Sequence, residues 1–221
     1  MNQPTSDLFL IFDMDGTLID SNPTHKEAYK QFLARYDIDL TDEDFKEYIS
    51  GRMNPDILKH FFGDDLTDER IGELTHEKES LFQDLFTPRI EPVKGLIEFL
   101  HAAQAADLPM ALATSAPPMN VDFVFDRLGI RQFFRVVVTG DDVTAGKPDP
   151  TVFRKAAERL GADPARCLVF EDSANGVEAA RAAGMAVVAL TISHEPEATE
   201  NAARVIDDYT QLRVDELASL L

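Results

Sequence analysis

Five short stretches of the chain are apolar almost without interruption, and segments of helical character lie between them. Leu8–Phe12, Pro109–Ala113, Val136–Thr139, Cys167–Phe170 and Ala186–Leu190 read as strands. Their lack of alternation marks strands covered on both faces, as in a parallel sheet flanked by helices. Gly95–Ala106, Pro118–Leu128, Pro150–Leu160 and Ala174–Ala183 read as the helices between them. This succession predicts an α/β fold: a doubly wound, Rossmann-like parallel sheet with its ligands beyond the carboxyl ends of the strands.

One segment breaks the pattern. From Ser21 to Glu91 no strand is recognisable, only helical stretches rich in Phe, Leu, Glu and Lys, punctuated by turn signals at Gly51, Asn54-Pro55 and Gly63. A βα connection usually takes about 2–6 residues, so this one is far too long to be a loop. The expected organisation is a core from residues 1–20 and 92–221, with an α-helical domain at 21–91 inserted after the first strand. The acidic run "TDEDFKEY" within it reads as a solvated helix face.

Composition adds exclusions. The 221 residues, 44% hydrophobic and 28% charged, describe a soluble globular protein long enough to bury a sizeable core. A formal charge of −19 argues against nucleic acid as a partner, and means that an anionic substrate must be drawn in by local cations. Cys167 is the only cysteine, so no disulfide framework exists and a reducing, cytoplasmic location is expected, with the thiol a small core residue. "MNQPTSD" lacks the features of a signal peptide, and no apolar run approaches the length of about 18 residues needed to span a membrane.

The chemistry collects where strands end. The first is followed at once by Asp13 and Asp15, two residues apart and on one side of the chain if it stays extended, then by Gly16. Carboxylates this close repel one another, so the pair is either a solvated turn or part of a cation site. The second strand leads to Thr114-Ser115 ahead of a helix start near Pro117-Pro118, which offers a hydroxyl and free N–H groups to an anion. After the third comes "TAGKPDP", with Lys147 beside Pro148, Asp149 as a helix cap and Pro150 in first position. The fourth delivers Glu171-Asp172 just before "SANG". Taken singly, each has a commonplace explanation. Four successive strand ends supplying a carboxylate pair, a hydroxyl, a lysine and another carboxylate pair describe one site. Hard oxygen donors of this kind suit Mg²⁺ with a phosphate, one carboxylate being free to attack phosphorus, while Lys147 and Thr114 hold the other phosphoryl oxygens.

The four motifs "DMDGT", "TS" at Thr114-Ser115, "GKPDP" and "EDSANG" strongly resemble those of the haloacid dehalogenase-like superfamily of phosphotransferases, over nearly the whole chain. The resemblance implies that Asp13 is the nucleophile forming an aspartyl-phosphate, and that Asp15 is the general acid and then base, with its backbone carbonyl on the metal. It implies that Asp13 and Asp172 ligate Mg²⁺, that Glu171 ligates it or holds a metal-bound water, and that the helical insertion is a mobile cap. An aspartate in the second position also argues against the dehalogenases of the superfamily.

"EDSANGVEAARAAGM" and "DSNPTHKEAY" are similar to the β-phosphoglucomutase and sugar-phosphatase branch. That implies cap residues at the substrate: His25, twelve positions after Asp13, with Lys78 and the stretch containing Gly51, Arg52 and Asn54, opposite Ser115 of the core. The mutases carry an arginine where this chain has Asn54, and Ser-Lys where it has Ala116-Pro117. Two contacts to a second phosphate are therefore absent. The expectation is a Mg²⁺-dependent phosphatase of a small phosphorylated metabolite, a sugar phosphate by class, working as a monomer. A mutase interconverting hexose 1- and 6-phosphates is the alternative, and a catalytically idle module is disfavoured because no motif residue is missing.

Overall fold

The computed structural model describes residues 8–49, 52–193 and 196–221. Six strands form one sheet: β1 Phe9–Phe12, β2 Met110–Ala113, β3 Phe134–Val138, β4 Cys167–Glu171, β5 Ala186–Leu190 and β6 Arg204–Ile206. All pairings are parallel, in the order β3-β2-β1-β4-β5-β6. The order reverses direction between β1 and β4, which opens a crevice at the carboxyl ends of those two central strands.

The sheet buries both faces, as the unbroken apolar runs require. Leu10 and Phe12 enter one core with Phe99, Phe134, Phe170 and Tyr209, while Phe9 and Ile11 enter the other with Phe153, Val169 and Val187. Phe12 stacks on Phe170 at 4.5 Å and meets Phe134 edge-on at 5.9 Å, so the strand before the first aspartate is clamped by aromatic rings.

Between β1 and β2 the chain is helical: α1 Asn22–Ala34, the short α2 Asp42–Asp44 running on as a wide turn to Ile49, α3 Asn54–Phe62, and α4 Asp68–Phe86. α1, α3 and α4 share a separate core of Tyr29, Phe32, Leu33, Ile57, Leu58 and Leu74. Ala28 of α1 and Phe82 and Phe86 of α4 belong instead to the core beside the sheet, which seats this helical layer over the strand ends. The passages into and out of it run side by side, bridged at Ile19 and Pro92, with Val93 N–H donating to Leu18 O at 2.9 Å.

The remaining helices are α5 Leu96–Ala105, α6 Pro118–Leu128, α7 Thr151–Leu160, α8 Ala174–Ala182 and α9 Pro196–Thr199. Most element ends shift by a residue or two from the sequence reading, and one strand, β6, is additional to it. β3 starts at Phe134 and not Val136, because the 3-10 turn Arg131–Phe133 delivers the chain into the sheet earlier. α7 starts one residue late: Pro150 precedes it, and Asp149 Oδ1 accepts from Thr151 N–H at 2.9 Å. β6 carries no apolar run, since only Ile206 of its three residues is buried.

Candidate active site

Asp13 continues the β1 ladder by one residue, its N–H donating to Phe170 O at 3.0 Å, so the sheet fixes where its carboxylate lies. Met14 turns into the core and Asp15 returns to the same side, half-buried. Gly16 then takes φ +73, and a Cβ there would lie 1.9 Å from Asp172 Oδ2. Only glycine satisfies both the left-handed turn and that approach.

Lys147 reaches in from the loop before α7 and donates to Asp13 Oδ1 at 2.6 Å and Glu171 Oε1 at 2.5 Å. The other oxygen of Glu171 accepts from Asp172 N–H, Ser173 N–H and the Ser173 hydroxyl at 2.7, 2.8 and 3.0 Å. Ser173 also caps α8, accepting from Gly176 N–H at 3.1 Å. Asp172 Oδ2 accepts from Asn22 of α1 at 3.1 Å. Oxygens of Asp13, Glu171 and Asp172 all lie within 4.8 Å of one another, and all three residues are buried.

Ionised, this cluster holds three carboxylates and one ammonium. Burial drives the Asp13 carboxyl up, against the pull of Lys147, and the charges of Glu171 and Asp15 add to the rise, to about 8. Burial also opposes the charge on Lys147, yet Asp13 and Glu171 on either side more than offset it, and the ammonium is held well above its usual range. The excess of two negative charges over an all-oxygen donor set is what a small hard divalent cation such as Mg²⁺ neutralises, so the residues fit that ion.

Asp15 lies outside the cluster. Its Oδ1 accepts from the Ser21 hydroxyl at 2.6 Å, so Ser21, at the start of α1, serves this carboxylate and does not cap the helix. His25 Nε2 lies 3.2 Å from the same oxygen, and His25 Nδ1 lies 2.9 Å from Lys78 Nζ. An ammonium has only donors, so Nδ1 accepts and Nε2–H points at Asp15. The ring is fixed by stacking on Phe82 at 3.7 Å. Burial would raise the Asp15 carboxyl, but His25 and Ser21 overcome it and hold the group below the ordinary range.

Thr114 is buried at the end of β2, its N–H in the ladder to Val138 O and its hydroxyl accepting from Ala116 N–H at 3.1 Å; Ser115 beside it is half-buried. From the helical side, Asn54 and Arg52 reach the cleft that also receives Asp13, Asp15, His25, Lys78, Thr114, Ser115, Lys147, Glu171 and Asp172. Arg52 is exposed and its Nε donates to Glu47 O at 3.2 Å. Gly51 lies outside the described residues.

Among the residues of this cleft that sequence reasoning missed are Asn22, Glu79 and Asn120. Asn22 sits inside the quoted "DSNPTH" and holds Asp172. Glu79 and Asn120 carried no signal, because charged and amide residues on helices read as solvated. Both are buried, joined by a 2.8 Å hydrogen bond from Asn120 Nδ2 to Glu79 Oε2.

A family model described as haloacid dehalogenase-like hydrolase matches residues 10–190. A validoxylamine A 7'-phosphate phosphatase from Streptomyces hygroscopicus subsp. limoneus is 31% identical over 205 residues, covering 92% of this chain and 94% of that protein. The fructose-1-phosphate phosphatase YqaB of Escherichia coli (strain K12) is 33% identical over 183 residues, covering 81% and 94%. A crystal structure of a family IA, variant 3 hydrolase from Entamoeba histolytica superposes with a TM-score of 0.84 at 25% identity, covering 96% and 98%. The chain belongs to the haloacid dehalogenase-like hydrolase family and is an enzyme; among its described residues no helix is long and apolar enough to cross a membrane.

Proposed function

We propose that this enzyme is a Mg²⁺-dependent phosphatase that hydrolyses a small phosphorylated metabolite, a sugar phosphate by class, through a phosphoryl group carried on Asp13. The observation that carries the reading is the buried cluster of Asp13, Glu171 and Asp172, with a single ammonium, Lys147, joining Asp13 to Glu171, at the topological switch of the sheet. Similarity to phosphatases of fructose 1-phosphate and validoxylamine A 7'-phosphate supports the substrate class.

Asp13, Glu171, Asp172 and the backbone carbonyl of Asp15 would hold Mg²⁺, which when bound supplies charge neutralisation for the phosphate and the carboxylates. The Asp13 carboxylate attacks phosphorus, the bond from phosphorus to the ester oxygen breaks, and Asp15 gives the departing oxygen a proton. Asp15 is ionised in the free site; the charge of an arriving phosphate raises its proton affinity, so that it takes up a solvent proton and stands ready as an acid. In the second half, Asp15 takes a proton from water, whose oxygen attacks phosphorus; the bond from phosphorus to Asp13 breaks, which restores its carboxylate and releases inorganic phosphate. Lys147, Thr114 and Ser115 hold the phosphoryl oxygens throughout, and the Nε2–H of His25 keeps Asp15 aimed at the leaving oxygen.

The helical layer, residues 21–91, acts as a cap. The two passages bridged at Ile19 and Pro92 form its hinge, and closure excludes bulk water and completes the specificity pocket. The test is a kinetic screen of phosphate monoesters with Mg²⁺, including glucose 1- and 6-phosphate with and without a bisphosphate primer. The expected result is net release of inorganic phosphate from at least one monoester. Interconversion of the two glucose phosphates with little net release would replace this reading by the mutase one.

A further inference from the structure

The helical end of the cleft contains a buried ion pair for which the chemistry above has only half a use. Lys78 Nζ is 3.0 Å from each oxygen of Glu79, and both side chains are 2% exposed. Lys78 also bears on His25 at 2.9 Å and lies over the Tyr29 ring at 4.1 Å. Glu79 touches neither Asp15 nor His25 directly. It accepts instead from Asn54 at 2.7 Å and Asn120 at 2.8 Å, drawing one side chain from the helical layer and one from the core onto its carboxylate. Asn54 Oδ1 in turn accepts from the Tyr29 hydroxyl at 2.6 Å, and Asn120 Oδ1 from Gln83 at 3.0 Å, so both amides have a fixed orientation.

A lysine alone in this place would be an anion clamp. Here its charge is cancelled one for one, and Phe45, Ile49 and Ile57, which line the same cleft from the helical layer, offer a phosphate no side-chain donor. Arg52, the other cation lining this side among the described residues, is exposed and its Nε donates to Glu47 O at 3.2 Å. We propose that Glu79 sets the substrate class: by neutralising Lys78 it leaves the helical side of the cleft without a buried cation, and so disfavours monoesters whose leaving group bears a second phosphate. The inference rests on the phosphatase reading. A neutral hydroxylated leaving group would find a donor and an acceptor in the half-buried Asn54, and a second phosphate would meet the Glu79 carboxylate behind it instead.

The experiment compares kcat/KM for two matched pairs, fructose 1-phosphate against fructose 1,6-bisphosphate and glucose 1-phosphate against glucose 1,6-bisphosphate, at saturating Mg²⁺. The parent enzyme is expected to favour the monophosphates. Glu79→Gln preserves size and acceptor oxygen but frees the charge of Lys78, and should raise the bisphosphate-to-monophosphate ratio by about tenfold or more, given the strength of one uncompensated charge in a poorly solvated cleft. Lys78→Met leaves Glu79 unpaired and should move the ratio the other way, which keeps the inference testable if one variant does not fold. Losses of equal factor on both members of a pair, in either variant, would mean that the ion pair only supports the helices and would overturn the proposal. A parent enzyme that hydrolyses none of the four esters, nor any other monoester, would remove the phosphatase reading itself.

Discussion

Replacing Gly176 with alanine tests the packing of the carboxylate cluster most directly. Within a helix, Gly→Ala is ordinarily worth about 0.5–1 kcal/mol in favour of the variant. At Gly176, in the first turn of α8, a Cβ would lie 1.8 Å from Glu171 Oε1, 1.9 Å from its Cδ and 2.4 Å from Oε2. The Glu171 carboxylate has no place to go: three donors hold Oε2, and Lys147 holds Oε1. Overpacking costs about 1–3 kcal/mol, and each hydrogen bond to a charged group that is lost costs about 1.5–3. The net expectation is destabilisation by about 3–5 kcal/mol, opposite in sign to the helix preference. Gly72 of α4 is the control, since a Cβ there meets nothing within 4 Å; Gly72→Ala should stabilise by about 0.5–1 kcal/mol. Urea denaturation of the two variants in chelator reads both signs. Because Glu171 would drag Lys147 off Asp13, Gly176→Ala should also shrink the Mg²⁺-induced rise in melting temperature and lower kcat/KM by about a hundredfold, the scale of a misplacement near 1 Å. A Gly176→Ala protein as stable as its parent, with an unchanged response to Mg²⁺, would refute this account of the cluster.

Asp13→Asn should abolish turnover while leaving the melting temperature of the metal-free protein unchanged or raised, since it removes one of three crowded carboxylates; retained phosphate release would exclude Asp13 as nucleophile. In the metal-free protein the Asp13 carboxyl titrates at about 8 against 3.8 when unconstrained, so the folded state binds the proton more tightly. Stability should therefore fall as pH rises from about 4 to about 8 and level off above. Urea midpoints at pH 5 and 8 in chelator check this, with Asp13→Asn as the flat control and Mg²⁺ expected to reduce the slope; stability rising over that interval through Asp13 would contradict the burial argument. Exchanging Arg52, Asn54 or His25 should change the ranking of phosphate esters by kcat/KM about tenfold while leaving the Mg²⁺-induced melting shift alone, and uniform losses on every ester would count against their place in specificity.

The parts legible in the sequence were those in which one residue's place is set by its own strand. Phe9–Phe12 is apolar throughout because both faces of β1 are covered, and Asp13 follows because the next position leaves the sheet at its carboxyl edge. Thr114 and Glu171-Asp172 share that logic, and Lys147 joins them from the loop between β3 and α7, so four linear motifs meet in one cleft. Other parts depend on distant partners. β6 is short and two of its three residues are exposed, so no apolar run announced it. Lys78 and Glu79 are adjacent on α4, where neighbours usually point apart, and only the approach of Asn54, Asn120 and Tyr29 makes both buried. A charged dipeptide on a helix reads as solvated unless the surfaces that enclose it are known.

The two ends of the cleft balance charge differently, and that difference orients a substrate. At the sheet edge, three carboxylates face one ammonium, an excess of two negative charges that a divalent cation would cancel, and that cation would then offer a phosphate dianion direct ligation beside the Lys147 donor. At the helical end, Lys78 and Glu79 cancel and leave neither attraction nor net repulsion for a neutral group. The chain as a whole carries −19, so its long-range field opposes an approaching phosphate. The attraction is local and at one end only. A phosphorylated sugar therefore gains by entering with its phosphate towards Asp13 and gains nothing reversed, and the sugar part is selected by hydrogen bonding and fit, not by charge. Specificity and catalysis are thus assigned to different halves of one cleft, joined through His25, whose two ring nitrogens face Asp15 on one side and Lys78 on the other.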